Sequence, residues 1–199
     1  MPPLKAILEA ALLAAAEPVS IERLAALFDE EQRPSRDAIR TALLELAGDY
    51  QGRGVELVEV ASGFRVQVPQ SFAPWVSRLW EERAVRYSRA LLETLALIAY
   101  RQPITRGEIE EVRGVSVSST TIKTLLERGW IKVLGHREVP GRPALFGTTR
   151  EFLDYFNLKN LAELPPLAAI RDLDLISATL ERRQASAEPP AEASSEQES

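Results

Sequence analysis

An ordered internal repeat constrains this chain more than any other feature. Ile7-Leu8-Glu9-Ala10-Ala11-Leu12 is echoed by Leu91-Leu92-Glu93-Thr94-Leu95-Ala96, an offset of 84. Pro18-Val19-Ser20 returns as Pro103-Ile104-Thr105 at an offset of 85, and Leu43-Leu44-Glu45 as Leu125-Leu126-Glu127 at 82. Segments in the same order with drifting offsets indicate one unit of about 80 residues used twice, with small loop differences.

The first unit opens on Leu4, Ile7, Leu8, Ala11 and Leu12, the i, i+3, i+4, i+7, i+8 stripe of an amphipathic helix. Pro18 ends it, because a residue before proline is pushed out of the α region. Ser20 can cap a second helix with Ile21, Leu24, Leu27 and Phe28 on its apolar face. Ser35 can cap a third over residues 36–50, with Ile39, Leu43, Leu46, Ala47 and Tyr50 inward and Gly52 and Gly54 beyond its end. The period then changes. Residues 55–60 and 64–68 are short β-rich runs flanking Ala61-Ser62-Gly63, a hairpin. Phe72, Trp75, Val76 and Leu79 predict a closing helix with Pro74 in its first turn.

The second unit repeats the order. An apolar helix spans 88–101 and Pro103 ends it. Thr105 and Glu108 have capping-box spacing and open a short helix that Gly114 closes. Residues 117–128 form a third helix on Ile122, Leu125 and Leu126, closed by Gly129. A strand at 130–134, a Gly/Pro/Arg loop to Pro143 and a strand at 144–147 follow. Thr148 and Glu151 predict another capping box, opening a helix on Phe152, Leu153 and Phe156.

Three helices and a hairpin, in that order, make a winged helix-turn-helix. The predicted fold class is therefore mainly α with small β-hairpins (α+β), in two tandem winged-helix domains. The first spans 1–82, the second 83–167, and 168–199 is a C-terminal extension. From Arg183 on, the chain is Ala, Ser, Glu, Pro and Gln, which cannot bury enough apolar surface to stay ordered, so a disordered acidic tail is expected. Charge follows the same divisions: net −5 over 1–82, +6 over 83–150 and −6 over 151–199. A basic module between acidic flanks suits an acidic partner or a phosphate backbone, or reflects ordinary surface variation.

Enzyme chemistry has little raw material. The chain has one His and no Cys, which excludes disulfides, thiolate metal sites and Cys nucleophiles and leaves His relays almost no residues. No glycine-rich phosphate loop, H-E-x-x-H or G-x-S-x-G pattern occurs. His136 falls in the second wing, where a lone His is ordinarily solvent-facing. No metal, cofactor or catalytic residue is expected. No apolar run reaches the roughly 20 residues that span a bilayer, and the opening segment lacks the basic start of a signal peptide, so a cytoplasmic location is expected.

Nucleic-acid binding is the natural alternative for winged helices. It calls for clustered Lys/Arg and for polar residues at the start of the recognition helix. The first unit offers only Arg36 and Arg40 beside Asp37 and Glu45. In the second, Ser118, Ser119, Thr120, Thr121 and Lys123 are placed outward, with Arg137 and Arg142 on the wing. That surface leaves a DNA-binding transcription regulator, or weak nucleic-acid contact, as an open reading.

Residues 92–110, LETLALIAYRQPITRGEIE, closely resemble the segregation and condensation protein B family. So do Val112-Arg113-Gly114-Val115, residues 124–129 (TLLERG), Val139-Pro140-Gly141-Arg142-Pro143 with Phe146-Gly147-Thr148-Thr149, and Leu164-Pro165-Pro166-Leu167. The matches cover about 88–167, and the first unit agrees in layout more than in wording. The hydroxyl-rich stretch Ser116 to Thr121 departs from the family pattern.

The resemblance implies a non-enzymatic, homodimeric tandem winged-helix subunit of the bacterial SMC complex. Its partner would be the kleisin, segregation and condensation protein A, and through it the SMC ATPase. Its role would be chromosome condensation and segregation, at the nucleoid. Pro103, Gly114, Gly129 and Gly141 are turn and cap positions that folding alone explains. Tyr100, Arg101, Gln102, Arg106, Arg113 and Arg142 are explained less easily by folding. With Ile104 and Phe146 they are the candidate partner contacts. The Leu/Ala-rich opening helix makes Leu4, Ile7, Leu8 and Leu12 the candidate dimer contacts.

Overall fold

The computed structural model describes residues 2–79 and 87–165. The expected C-terminal extension and acidic tail lie outside them. Helix α1 (Leu4–Ala14) is followed by α2 (Ile21–Ala25), α3 (Arg36–Asp49), the hairpin β1 (Glu56–Val60) and β2 (Gly63–Gln67), and the short α4 (Ala73–Val76). The second series runs α5 (Arg89–Arg101), β3 (Ile104–Thr105), α6 (Arg106–Arg113), α7 (Ser119–Glu127), β4 (Ile131–His136), β5 (Ala144–Thr148) and α8 (Arg150–Tyr155). The mixed, mainly helical class with small antiparallel sheets is as the sequence predicts.

Side-chain caps set most helix starts. Ser20, Ser35, Ser88 and Ser118 each accept the backbone N–H three residues on. Thr105 and Glu108 form the full reciprocal capping box, and Gly114 closes α6 in the left-handed conformation at φ 69°.

Two apolar clusters result. Leu8, Leu12, Leu24, Ile39, Leu43, Leu46 and Phe64 fill the first, so α1, α2, α3 and the hairpin share one interior. Leu92, Leu95, Ile98, Ile109, Leu125, Trp130 and Phe146 fill the second. Burying such a side chain contributes about 1.5–3 kcal/mol. Trp130, 2% exposed, packs its ring 5.1 Å from Tyr87 and 4.7 Å from Tyr155.

The repeat is visible in hydrogen bonds. In the first unit Val19, after Pro18, pairs with Phe64: Val19 N donates to Phe64 O at 2.8 Å and Phe64 N to Val19 O at 2.9 Å. In the second, Ile104, after Pro103, pairs with Phe146 in the sheet ordered β3-β5-β4. The residue after the proline thus adds a third chain to each wing.

Local details differ from the expectations. The third helix of the second unit starts at Ser119, because Ser118 is its cap and Val117 turns inward, 1% exposed. Thr149, not Thr148, caps α8: Thr148 completes β5, and Thr149 Oγ1 accepts Phe152 N at 3.1 Å. Strand β4 runs on to His136, so that residue ends a strand and is not in the loop. The closing helix of the first unit is one α turn between two 3₁₀ turns, with Trp75 65% and Leu79 77% exposed.

Candidate functional site

Tyr100, Arg101, Gln102, Ile104 and Arg106 lie where α5 ends and the chain turns through a cis Gln102–Pro103 bond into β3 and α6, whereas Arg113 ends α6 and Arg142 lies in the wing loop between β4 and β5. The structure divides them into core, internal polar network and surface. Ile104 and Phe146 are core residues, 4% and 7% exposed and paired with each other across β3 and β5, and offer no surface to a partner. Gln102 is a clamp. Its Oε1 accepts Thr148 N at 2.8 Å, while its Nε2 donates to Thr148 Oγ1 at 2.9 Å and to Ala99 O at 3.3 Å. It ties the end of α5 to β5. Tyr100 is half-buried; its hydroxyl donates to Pro165 O, and burial raises its pKa.

Arg113 also turns inward. Its side chain is 11% exposed, Nη2 meets Glu93 Oε2 at 3.0 Å, and Nη1 lies 3.4 Å from Thr94 Oγ1. Burial pushes Glu93 up, but the hydrogen bonds and charges of Arg113 and Arg89 outweigh it and hold the carboxyl below its ordinary value. Arg106 Nε pairs with Glu110 Oε1 at 3.0 Å. Glu110 is held down by the N–H of Val117, at 2.8 Å, and then by Arg106. Arg142, at φ 38°, reaches back to Glu138 at 3.1 Å. These pairs account for the positions as parts of the fold, with Arg106 and Arg142 still at the surface.

Arg101 is different. It is exposed, and no described carboxylate pairs with it. The face beside it is one that sequence reasoning missed. Lys132 lies opposite Gly147 in the β4–β5 register. A Cβ on Gly147 would fall 2.5 Å from Leu134 Cδ1 and 2.7 Å from Gln102 Oε1, so these side chains close tightly over the glycine. Leu134 is 49% and Val133 46% exposed. Lys132 and the exposed Leu134 thus meet over Gly147, and Arg101 stands next in the chain to Gln102 at the end of α5. Only the juxtaposition of β4, β5 and the end of α5 creates this face, and no local pattern encodes that.

The surface read for nucleic acid has its charges matched internally. Lys123 pairs with Glu127 at 3.5 Å, Arg137 with Glu108 at 2.7 Å, and Arg142 with Glu138. Ser118 is consumed as a cap, and Thr121 is half-buried against its hydroxyl at 2.9 Å. Among the described residues no group of three or more His, Cys, Asp or Glu could hold a metal ion. No described helix is long and apolar enough to cross a membrane.

Of the proposed dimer contacts, Leu8 and Leu12 are 0% and 3% exposed inside the first cluster, and Leu4 and Ile7 are half-buried. The apolar residues this region leaves in the open are Leu13, 59% exposed on α1, and Leu44, 70% exposed on the adjoining α3.

A family profile described as "Segregation and condensation complex subunit ScpB" matches residues 6–167, from within α1 through α8. The chain belongs to the ScpB family. A segregation and condensation protein B homolog of Coxiella burnetii is 63% identical over 174 residues, covering 87% of this chain and 83% of that protein. The crystal structure of ScpB from Mycobacterium tuberculosis is 37% identical, with 78% of this chain and 95% of that chain covered and a TM-score of 0.36. A structure of a dimer of ScpB N-terminal domain complexed with ScpA peptide is 29% identical, with 41% of this chain and 96% of that chain covered and a TM-score of 0.36. Within the ScpB family match, both units are included, so the layout agreement seen in the first unit is a family feature and not only a shared pattern of helices.

Proposed function

We propose that this chain is a non-catalytic, homodimeric subunit of a bacterial SMC–kleisin complex. It binds the kleisin, segregation and condensation protein A, and so serves chromosome condensation and segregation in the cytoplasm at the nucleoid. The observation that carries the reading is the family match, which runs through both units and describes a complex subunit. The surfaces agree with a protein-binding role. An exposed Leu134 close to Lys132, with Arg101 at the end of α5 and no described carboxylate paired to either cation, suits an acidic, apolar-anchored polypeptide: apolar anchors supply affinity, and rim charges supply steering and register. The matched cations of α7 and the second wing leave fewer charges for a phosphate backbone than the sequence suggests.

Titration calorimetry of the full chain with a central kleisin segment tests this. Binding is expected, with Arg101→Ala plus Leu134→Ala weakening it at least tenfold, about 1.4 kcal/mol. Unchanged affinity would remove this face, and no binding by the parent would remove the kleisin reading. A DNA-binding regulator would instead bind duplex with affinity falling steeply as salt rises.

A further inference from the structure

The two wings of the repeat are used differently. In the first hairpin, Leu57 and Val66 pair on the face packed against the first cluster. Side chains alternate across a strand, so Val58, Arg65 and Val60 lie on the outer face. An outer face is normally wet. Val60 is nevertheless 3% exposed, and it belongs to neither buried cluster.

The segment following α8 lies against this face. Ala61 N, at the hairpin tip, donates to Leu158 O at 3.0 Å, and Ser62 N donates to Asp154 Oδ1 at 2.9 Å. Arg65 Nη2 donates to Asp154 O at 3.0 Å and to Asn157 Oδ1. Glu59, on the other side of β1 opposite Phe64, is met at Oε2 by Lys159 Nζ at 2.9 Å, and Arg40 approaches the same carboxylate at 3.8 Å, so the segment also grips the end of the strand.

The chemistry is complementary. The last carbonyls of a helix lack partners within it, and a cation there is favourable. Asn157 ends α8 in the left-handed conformation at φ 57°, which Asn tolerates better than most residues. That turn presents Asp154 O and Leu158 O to the wing, where Arg65 and the tip N–H groups receive them. In the second wing Leu134, which follows the partner of Phe146 as Val60 follows the partner of Phe64, stays 49% exposed.

We propose that the outer face of the first wing is an intramolecular docking seat for the α8 turn, and that this joint makes the two units move as one body. The joint has two consequences. The first wing is closed to nucleic-acid grooves, and partner-binding surfaces on the two units are held at a fixed spacing. None of this rests on the kleisin reading.

The chain contains no Cys, so introduced pairs report uniquely. Gln51→Cys on the first unit and Glu127→Cys on the second, both exposed, can carry spin labels in the full chain. Doubly labelled protein is diluted in excess unlabelled protein, so that only distances within one chain are read. Pulsed electron resonance should give one narrow distance distribution in the otherwise unaltered chain. It should broaden when Arg65→Ala and Lys159→Glu are combined, with helicity unchanged by circular dichroism. Lys159→Glu alone should broaden it partly, and adding Glu59→Lys, which restores an opposite-charge pair, should narrow it again. A broad distribution in the otherwise unaltered chain, or a narrow one unmoved by the combined variant, overturns the proposal.

Discussion

At the scale of single residues, two glycines show what close approach demands. Gly63 sits at φ 140°, and a Cβ there would fall 2.3 Å from Val19 O and 2.4 Å from Val19 C. These are backbone atoms of the bridge that joins the α1–α2 loop to the wing, so they cannot rotate away. Gly63→Ala is expected to cost about 1–3 kcal/mol from the backbone conformation alone, plus the overlap. Gly147→Ala meets side-chain atoms of Leu134 and Gln102, which can move, and its φ is ordinary. It should therefore cost less. Urea unfolding of the two variants checks the order; equal losses would mean that the Val19 bridge does not constrain Gly63. From the sequence Gly63 is legible as a turn residue and no more, since the reason for it lies forty-four positions away in the chain. Gln102 is a similar case. It reads as a polar contact candidate because a side-chain amide carries no sign of the β5 backbone it clamps.

At the scale of elements, helix ends were the most legible features, because a cap is a contact between residues three apart. Ser20, Ser35, Thr105 and Gly114 all stand where the spacing places them, while Ser88, read as the first residue of its helix, is its cap. Short strands were not legible: Ile104–Thr105 has two residues and no period, and it exists only because β5 supplies its partner. The expected cap at Thr148 fails for the same reason: β5 claims that residue, and Thr149 caps α8 instead.

The caps also bind carboxylates, and this sets the acid response. Glu108 is held below its ordinary value by Thr105 N at 2.8 Å and then by the Thr105 hydroxyl, with Arg137 adding to it. Glu110 and Glu93 are depressed as well. A carboxylate whose folded pKa lies below its unfolded value of about 4.3 stabilises the fold fully above that value, and the contribution disappears as pH falls through the folded pKa. Thermal melts should thus show no change from this cause between pH 6 and 8 and a falling midpoint below about pH 4.3. Thr105→Ala should lower stability by about 1 kcal/mol at neutral pH and make the acid fall shallower. A melting temperature unchanged well below that pH would mean that these hydrogen bonds do not persist in solution.

At the scale of the whole molecule, the duplication was legible because it is a statement about order, and order survives drift in spacing. Which faces remain open was not. An amphipathic stripe shows that a helix face is buried without showing what buries it, and the Leu8/Leu12 stripe of α1 is filled by its own unit. Leu13 and Leu44 are the residues that α1 and α3 leave in water. Light scattering of the full chain at micromolar concentration should give twice the 22.1 kDa chain mass. Leu13→Glu plus Leu44→Glu should return a single chain mass with the melting temperature of the folded unit kept, because neither side chain contributes to the core. Leu8→Ala should do the reverse, losing about 2–5 kcal/mol of stability with no direct loss at a contact surface. A double variant that remains dimeric would place the pairing face elsewhere on the first unit, and a monomeric parent would remove the homodimer. The two substitution classes therefore separate the stripe that folds the unit from the surface left to pair it.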